Sequence, residues 1–266
     1  MALIFVKCKE ITEGESVLLK KSIQVSIIIP VKDEVESVPI LAEEIEEVMG
    51  RQPWNYECIW IDDGSTDGSF EALTKLARRH KQHRVVQFRQ NFGQSAAMAA
   101  GFRMACGQVL VTLDSDLQND PRDIPLLVQK VFDGEADMIN GRRSKRRDNW
   151  IRKISSRIAN GFRNRLTHSQ VTDVGCSLRA FRRECVQKVP VFKGMHRFLP
   201  TLVELYGYKI TEMPVRHRER RLGKTKYGIN NRLWVGLADT FAVRWMQKRL
   251  VDPAIRQTIN FERKEE

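Results

Sequence analysis

The chain lacks any run approaching the roughly 20 consecutive apolar residues that a helix needs to span a bilayer. Its opening apolar stretch, Ala2-Leu3-Ile4-Phe5-Val6, is too short for a secretory signal, and Lys7 and Lys9 follow it. Cysteine is scarce and unpatterned. Cys8, Cys58, Cys106, Cys176 and Cys185 form no CxxC pair and no regular spacing, and their number is odd. Cys58 and Cys106 sit beside apolar residues, where a thiol behaves as a small hydrophobe. This pattern predicts free thiols in a reducing compartment. No internal repeat or low-complexity tract is present. The basic stretches lack interleaved aromatics, and no recognised nucleic-acid motif occurs, which argues against a nucleic-acid partner. The expected location is cytoplasmic, extending at most to the cytoplasmic face of a membrane.

What is present suits one core, or one core with an appendage: 266 residues, 42% hydrophobic and 29% charged. Lys and Arg number 45 against 33 Asp and Glu, a formal charge of +12. That excess implies an anionic partner, such as a nucleotide, a lipid phosphate or an acidic membrane.

Residues 1–22 have no clear role beyond a possible extra strand. Val25 to Pro30 reads as a buried strand, and residues 37–49 as a helix with Val38, Leu41, Ile45, Val48 and Met49 on one face. Tyr56 to Ile61 is a second strand, ending in the turn-rich Asp62-Asp63-Gly64-Ser65-Thr66-Asp67-Gly68. A helix over about 68–80, a strand from Arg84 to Phe88, a small-residue helix over 93–106 and a strand from Val109 to Leu113 follow. Continuous apolar strands alternating with helices argue for a mostly parallel α/β sheet covered on both faces. In such sheets ligands bind at the carboxyl ends of strands. Those ends carry Asp62 and Asp63, Asn91, and Asp114 and Asp116.

Asp114-Ser115-Asp116 closes the fourth strand. On an extended chain, side chains two apart share a face. Two hard oxygen ligands there can hold Mg²⁺ or Mn²⁺ and leave positions open for a diphosphate. The triplet alone is weak, because Asp-x-Asp is common in solvated turns.

After residue 140 the texture changes. Gly141 to Lys153 is strongly basic, and a helix is expected over about 149–166. Thr172 to Ser177 reads as a turn before a short strand, Leu178 to Phe181. A helix over 194–206, a strand from Ile210 to Val215, a second basic stretch from Arg216 to Tyr227 and a helical pattern over 230–250 complete the chain.

In order, VSIIIPVKDE (25–34), IDDGSTDGS (61–69), RQNFGQSAAMAAGF (89–102), LDSDLQNDP (113–121), INGRR (139–143), TDVGCSLRAF (172–181) and RERRLGKTKYG (218–228) resemble the family 2 glycosyltransferases of GT-A fold. The nearest branch resembles the dolichyl- or polyprenyl-phosphate sugar synthases. The resemblance implies inverting transfer from a UDP- or GDP-sugar, with a polyprenyl phosphate as acceptor. It implies a nucleotide-sugar site of Pro30, Lys32, Glu34, Ile61, Asp63, Asn91, Gly93, Asp114 and Ser115. Asp114, Asp116 and Gln118 would be metal ligands. Arg143, Arg220 and Lys226 would be phosphate-binding residues. Lys32 stands where the family often has an aromatic. The implied organisation is an extension (1–22), a catalytic domain (23–228), and an amphipathic helix with a tail (229–266).

Several of these residues have plainer readings. Asp173 sits where related enzymes place a catalytic acid or base, but it could instead orient the acceptor or cap its turn. Of the run Arg142 to Arg147, Arg143 is the expected ligand, because a planar guanidinium grips phosphate bidentately. Gly223 gives the second basic stretch the freedom to close over a donor. His217 reads as structural or phosphate-contacting, and His196 beside Arg197 as a weaker candidate for an acceptor phosphate. The helix over 230–250 offers Leu233, Trp234, Leu237, Phe241, Trp245 and Met246 with Arg232, Arg244, Lys248 and Arg249. That pattern suits a membrane interface or packing against the catalytic domain or a second subunit. The rival functions are transfer to a soluble glycan or hydroxyl acceptor, which needs a base such as Asp173, and a non-catalytic membrane- or nucleotide-binding role.

Overall fold

The computed structural model describes residues 22–143, 161, 163–167, 169–219 and 230–251. Seven strands form one sheet: β1 (Val25–Val31), β2 (Tyr56–Asp62), β3 (His83–Gln87), β4 (Val109–Thr112), β5 (Met138–Arg143), β6 (Arg179–Arg182) and β7 (Ile210–Val215). Their order is β3-β2-β1-β4-β6-β5-β7. β6 is antiparallel to both its neighbours, and the other pairings are parallel.

Alternation along β1 sends Val25, Ile27, Ile29 and Val31 to one face and Ile28 to the other. The first face is covered by α1 (Ser37–Met49), α2 (Ser69–Arg79) and α4 (Ile124–Phe132). The second carries α3 (Gln94–Met104) and α5 (Leu199–Leu205). Burial on both faces is why β1, β2 and β4 are continuous apolar runs. α3 approaches β1 closely, since a Cβ on Gly101 would lie 2.3 Å from Ile28 Cγ2.

Two elements are not among those expected, α4 and β5. α4 is short and carries a proline in its first turn. β5 reads Met-Ile-Asn-Gly-Arg-Arg, a composition without strand character; its pairing with β6 and β7 makes it a strand. The helix expected over 194–206 is a short 3₁₀ turn (Met195–Arg197) followed by α5. Of the helix expected over 149–166, residues 161 and 163–166 are described and are helical. Cys58, Cys176 and Cys185 are buried free thiols. Cys106 is disulfide-bonded, so the expectation of free thiols fails there.

α6 (Asn230–Arg249) rests on the domain through fully buried Val243, an Arg197–Asp239 ion pair at 2.8 Å, and Gln247 Nε2 donating to the Thr167 carbonyl at 2.7 Å. Trp245 is 63% exposed on the other side, beside exposed Lys248 and Arg249. One face therefore packs and another faces out. Among the described residues no helix is long and apolar enough to cross a membrane.

Candidate active site

The acids converge at the carboxyl edge of β1, β2 and β4. After β1 the chain enters a left-handed residue, Asp33 (φ 48°), and locks onto the loop after β2. Asp33 donates its backbone N–H to Ser65 Oγ at 2.9 Å and accepts the Thr66 N–H at 2.8 Å. Lys32 Nζ donates to the Gly64 carbonyl at 2.9 Å and to Asp33 at 3.0 Å. Glu34 is buried, with its N–H on Ser69 Oγ and its carboxylate accepting from Ser37 Oγ. Pro30 is half-buried at the same edge. Ile61 corrects an expectation. It has no exposed surface and packs in the core beside Ile28 and Ala97, so its side chain is closed to a nucleoside.

Asp63 accepts the backbone N–H groups of Phe92 at 2.7 Å and Gly93 at 2.9 Å. Burial pushes its carboxyl up, against those two amides and Lys32. Gly93, at φ 92°, starts α3 and explains the glycine there. Asn91 is exposed on the same loop. Asp62 accepts the Ser65 N–H at 3.1 Å, while its buried Oδ2 has no hydrogen-bond partner. Both acids therefore shape the turn.

β4 ends at Thr112, two residues short of Asp114. The Asp-x-Asp triplet is consequently a bend and not an extended strand, with Leu117 in the left-handed region (φ 61°). The two acids still feel each other. Burial and then the charge of Asp116 push Asp114 up to about 6. Gln94 Nε2, in the first turn of α3, donates to Asp114 Oδ1 at 2.7 Å. The Gln118 N–H donates to Asp116 at 3.2 Å, and Ser115 is buried between the acids. A cation would relieve this crowded negative charge. Among the described residues no three His, Cys, Asp or Glu side chains surround one point. The donor set thus fits an ion that takes its remaining oxygens from Gln118, water and a diphosphate, as Mg²⁺ and Mn²⁺ do.

Across the sheet, Arg143 at the end of β5 grips Asp173. Nε donates to Oδ2 at 2.8 Å, Nη2 to Oδ1 at 2.6 Å, and the backbone N–H to Oδ2 at 3.1 Å. Two residues expected to act separately are therefore a pair. Glu212 on β7 accepts from Thr172 Oγ1 at 2.6 Å and from the N–H groups of Thr172 and Asp173 at 3.0 Å. The Asn140 amide donates to the Asp173 carbonyl at 3.1 Å. After β7 the chain returns to the Asp-x-Asp bend. The Arg218 N–H donates to the Gln118 carbonyl at 2.8 Å, His217 pairs with Asn119, and the Arg218 side chain bridges Glu44 and Asp120. Burial alone would raise Asp120, but Arg122 and Arg218 outweigh it and hold it at about 2. Arg220, Lys226 and Gly223 lie outside the described residues, as does the basic run after Arg143.

Sequence reasoning passed over Gln94, Asn140, Arg179, Glu212 and Arg218 as working groups. Arg179 carried a signal, because an arginine inside the apolar run Leu178 to Phe181 must be buried and therefore bonded.

The profile of the family described as "Glycosyl transferase family 2" matches residues 26–189. A dodecaprenyl-phosphate galacturonate synthase of Rhizobium johnstonii is 37% identical over 237 residues, which is 88% of this chain and 70% of that protein. An undecaprenyl-phosphate 4-deoxy-4-formamido-L-arabinose transferase of Yersinia enterocolitica is 39% identical over 217 residues, 81% of this chain and 65% of that one. Among solved structures, a glucosyl-3-phosphoglycerate synthase from Mycobacterium tuberculosis with Mn²⁺, UDP and phosphoglyceric acid has a TM-score of 0.64 at 18% identity, covering 86% of this chain and 80% of its own. A mannosyltransferase from Pyrobaculum calidifontis with GDP-mannose and Mn²⁺ has a TM-score of 0.57 at 20% identity, covering 89% and 67%. Sequence motifs, sheet order and these likenesses agree: the chain belongs to glycosyl transferase family 2 and is a glycosyltransferase of GT-A fold.

Proposed function

We propose that the chain transfers a sugar from a UDP- or GDP-sugar to a polyprenyl phosphate, with inversion at the anomeric carbon. The relatives named for dodecaprenyl and undecaprenyl phosphate support the acceptor class. The observation that carries the choice of acceptor is the Arg143–Asp173 pair. A hydroxyl acceptor needs a base to remove its proton. Asp173 is the expected base, yet both its oxygens accept from Arg143. A phosphate acceptor is already ionised near neutral pH and needs no such base, so a paired Asp173 suits it.

In this reading Asp114 and Asp116, with Gln118, hold Mg²⁺ or Mn²⁺, which supplies charge neutralisation at the leaving diphosphate. Asp63 and Gly93 shape the nucleoside side. Lys32 and Glu34 hold the β1 and β2 loops together beneath it. Arg143, fixed by Asp173, offers the acceptor side positive charge. Arg220 and Lys226 would bind donor or acceptor phosphates. Placement of the acceptor oxygen opposite the leaving group carries much of the rate. The exposed side of α6, with Trp245, Lys248 and Arg249, would bring the enzyme to a membrane at its cytoplasmic face.

The test is nucleoside diphosphate release from a panel of UDP- and GDP-sugars with Mn²⁺, with and without a short polyprenyl phosphate. Lipid-dependent release of one nucleotide is expected. Turnover with a soluble glycan and none with lipid would overturn the proposed acceptor. Binding without any turnover would favour a non-catalytic role.

A further inference from the structure

Arg179 lies in β6, opposite Thr112 of β4 on one side and Asn140 of β5 on the other. It is 3% exposed. Its guanidinium makes three hydrogen bonds, all to neutral oxygens. Nε donates to Asn140 Oδ1 at 2.9 Å, Nη1 to the His196 carbonyl at 2.9 Å, and Nη2 to the Val174 carbonyl at 2.6 Å. No ion pair with a carboxylate forms among the described residues, although Asp114 and Asp173 are near enough to act on its charge. A buried charge without an ionic partner is costly, and an apolar side chain would fill the same sheet interior without that cost.

The three acceptors show what the charge is kept for. Val174 follows Asp173. Asn140 also holds the Asp173 carbonyl. His196 belongs to the 3₁₀ turn before α5, and its ring is fixed from the other side. Ser95 Oγ accepts the Gly194 N–H at 3.1 Å and lies 2.9 Å from His196 Nδ1. That contact fixes the ring whichever of its two nitrogens carries the proton. Ser95 follows Gln94, the residue that grips Asp114.

We infer that Arg179 is a positioning residue. Its fork joins the Asp173 loop and the His196 turn to the Asp114 end of β4, so that both segments are held beside the Asp-x-Asp bend. The three acceptors meet three different nitrogens of a planar fork, and a lysine has one nitrogen from which to reach them. The inference rests on the proposed function for the identity of the acceptor, but not for the assembly of the two segments.

The experiment is Arg179→Lys in the full chain, which keeps the charge and removes the fork. Two readouts are taken. Amide hydrogen exchange in residues 172–178 and 194–198 is expected to speed up about ten-fold or more, the size of losing one hydrogen bond to a charged group, while β1 and β4 keep their protection. The acceptor KM is expected to rise about ten-fold, while affinity for UDP or GDP with Mn²⁺ stays within about three-fold. Unchanged exchange in those segments, or equal acceleration everywhere, would overturn the inference. So would an unchanged acceptor KM, or donor affinity falling in step with it. If the unaltered enzyme does not use polyprenyl phosphate, the lipid reading alone fails, and hydrogen exchange still decides the role of Arg179.

Discussion

The two halves of the sheet hold their polar groups differently. In β3, β2, β1 and β4 the acids at the strand ends mostly bind backbone N–H groups of nearby loops: Asp62 to Ser65, Asp63 to Phe92 and Gly93, Asp33 to Thr66. In β6, β5 and β7 the bonds also run from side chain to side chain, over separations similar to or longer than the 29 and 33 residues that join Asp63 to Phe92 and Asp33 to Thr66. Arg143 and Asp173 are 30 residues apart, Arg179 and Asn140 39, and Thr172 and Glu212 40. The first half uses turn geometry and so leaves short motifs. The second uses a network of side chains drawn from three strands and the loop before β6. Mutations in the first should therefore act on chemistry or on one loop, and mutations in the second on the cohesion of that whole half of the sheet.

The largest effect is expected at the bend after β4. Asp116→Ala should lower metal-dependent transfer by about a thousand-fold or more, the scale of losing several kcal/mol of charge stabilisation, with little change in thermal midpoint. Rates at saturating Mn²⁺ check this, and full activity would remove the site assignment. Asp173→Asn should do the reverse. Breaking a largely buried pair, with side chains 14% and 12% exposed, should cost about 3 kcal/mol in urea unfolding. Lipid-phosphate transfer should fall by less than about a hundred-fold, because no general base is lost. A large rate loss at unchanged stability would break the contrast between the halves.

A smaller effect sharpens it. Gly64 has φ 69°, and a Cβ there would meet the Gln90 backbone at 2.6 Å. Gly64→Ala should cost about 1–2 kcal/mol, seen in the same unfolding curves, because the parallel half depends on backbone conformation. The smallest concerns acid. Asp120 is held at about 2 against an ordinary 3.8. A depressed carboxyl stabilises the fold above its unfolded value, so this contribution is present above about pH 4 and is lost as pH falls towards 2. Thermal midpoints across that range should drop in the unaltered protein and drop less in Asp120→Asn.

Legibility followed the same division. Val25 to Pro30, Tyr56 to Ile61 and Val109 to Leu113 announced their strands because both faces are buried, and the acids after them followed from the turn residues. β5 was hidden because Asn140 and Gly141 are there for contacts and not for strand preference: Asn140 bonds the Asp173 carbonyl, and a Cβ on Gly141 would lie 2.6 Å from the Leu178 carbonyl. The Arg143–Asp173 pairing was equally hidden, since nothing local links 143 to 173. Treating Asp114 and Asp116 as an extended pair missed the early end of β4, which depends on its register with β6.

The reversed strand has one more consequence. A parallel strand gives its working edge only the loop that leaves it. β6 runs the other way, so it gives that edge the loop that enters it, residues 172–178, and sends its exit, Arg183 to Val186, to the far edge. One inverted strand thus seats an additional, separately encoded segment beside the loops that follow β1, β2 and β4. On the proposed reading, changes in that segment would alter what receives the sugar while leaving the donor side untouched, a modularity by which one scaffold can diversify its products.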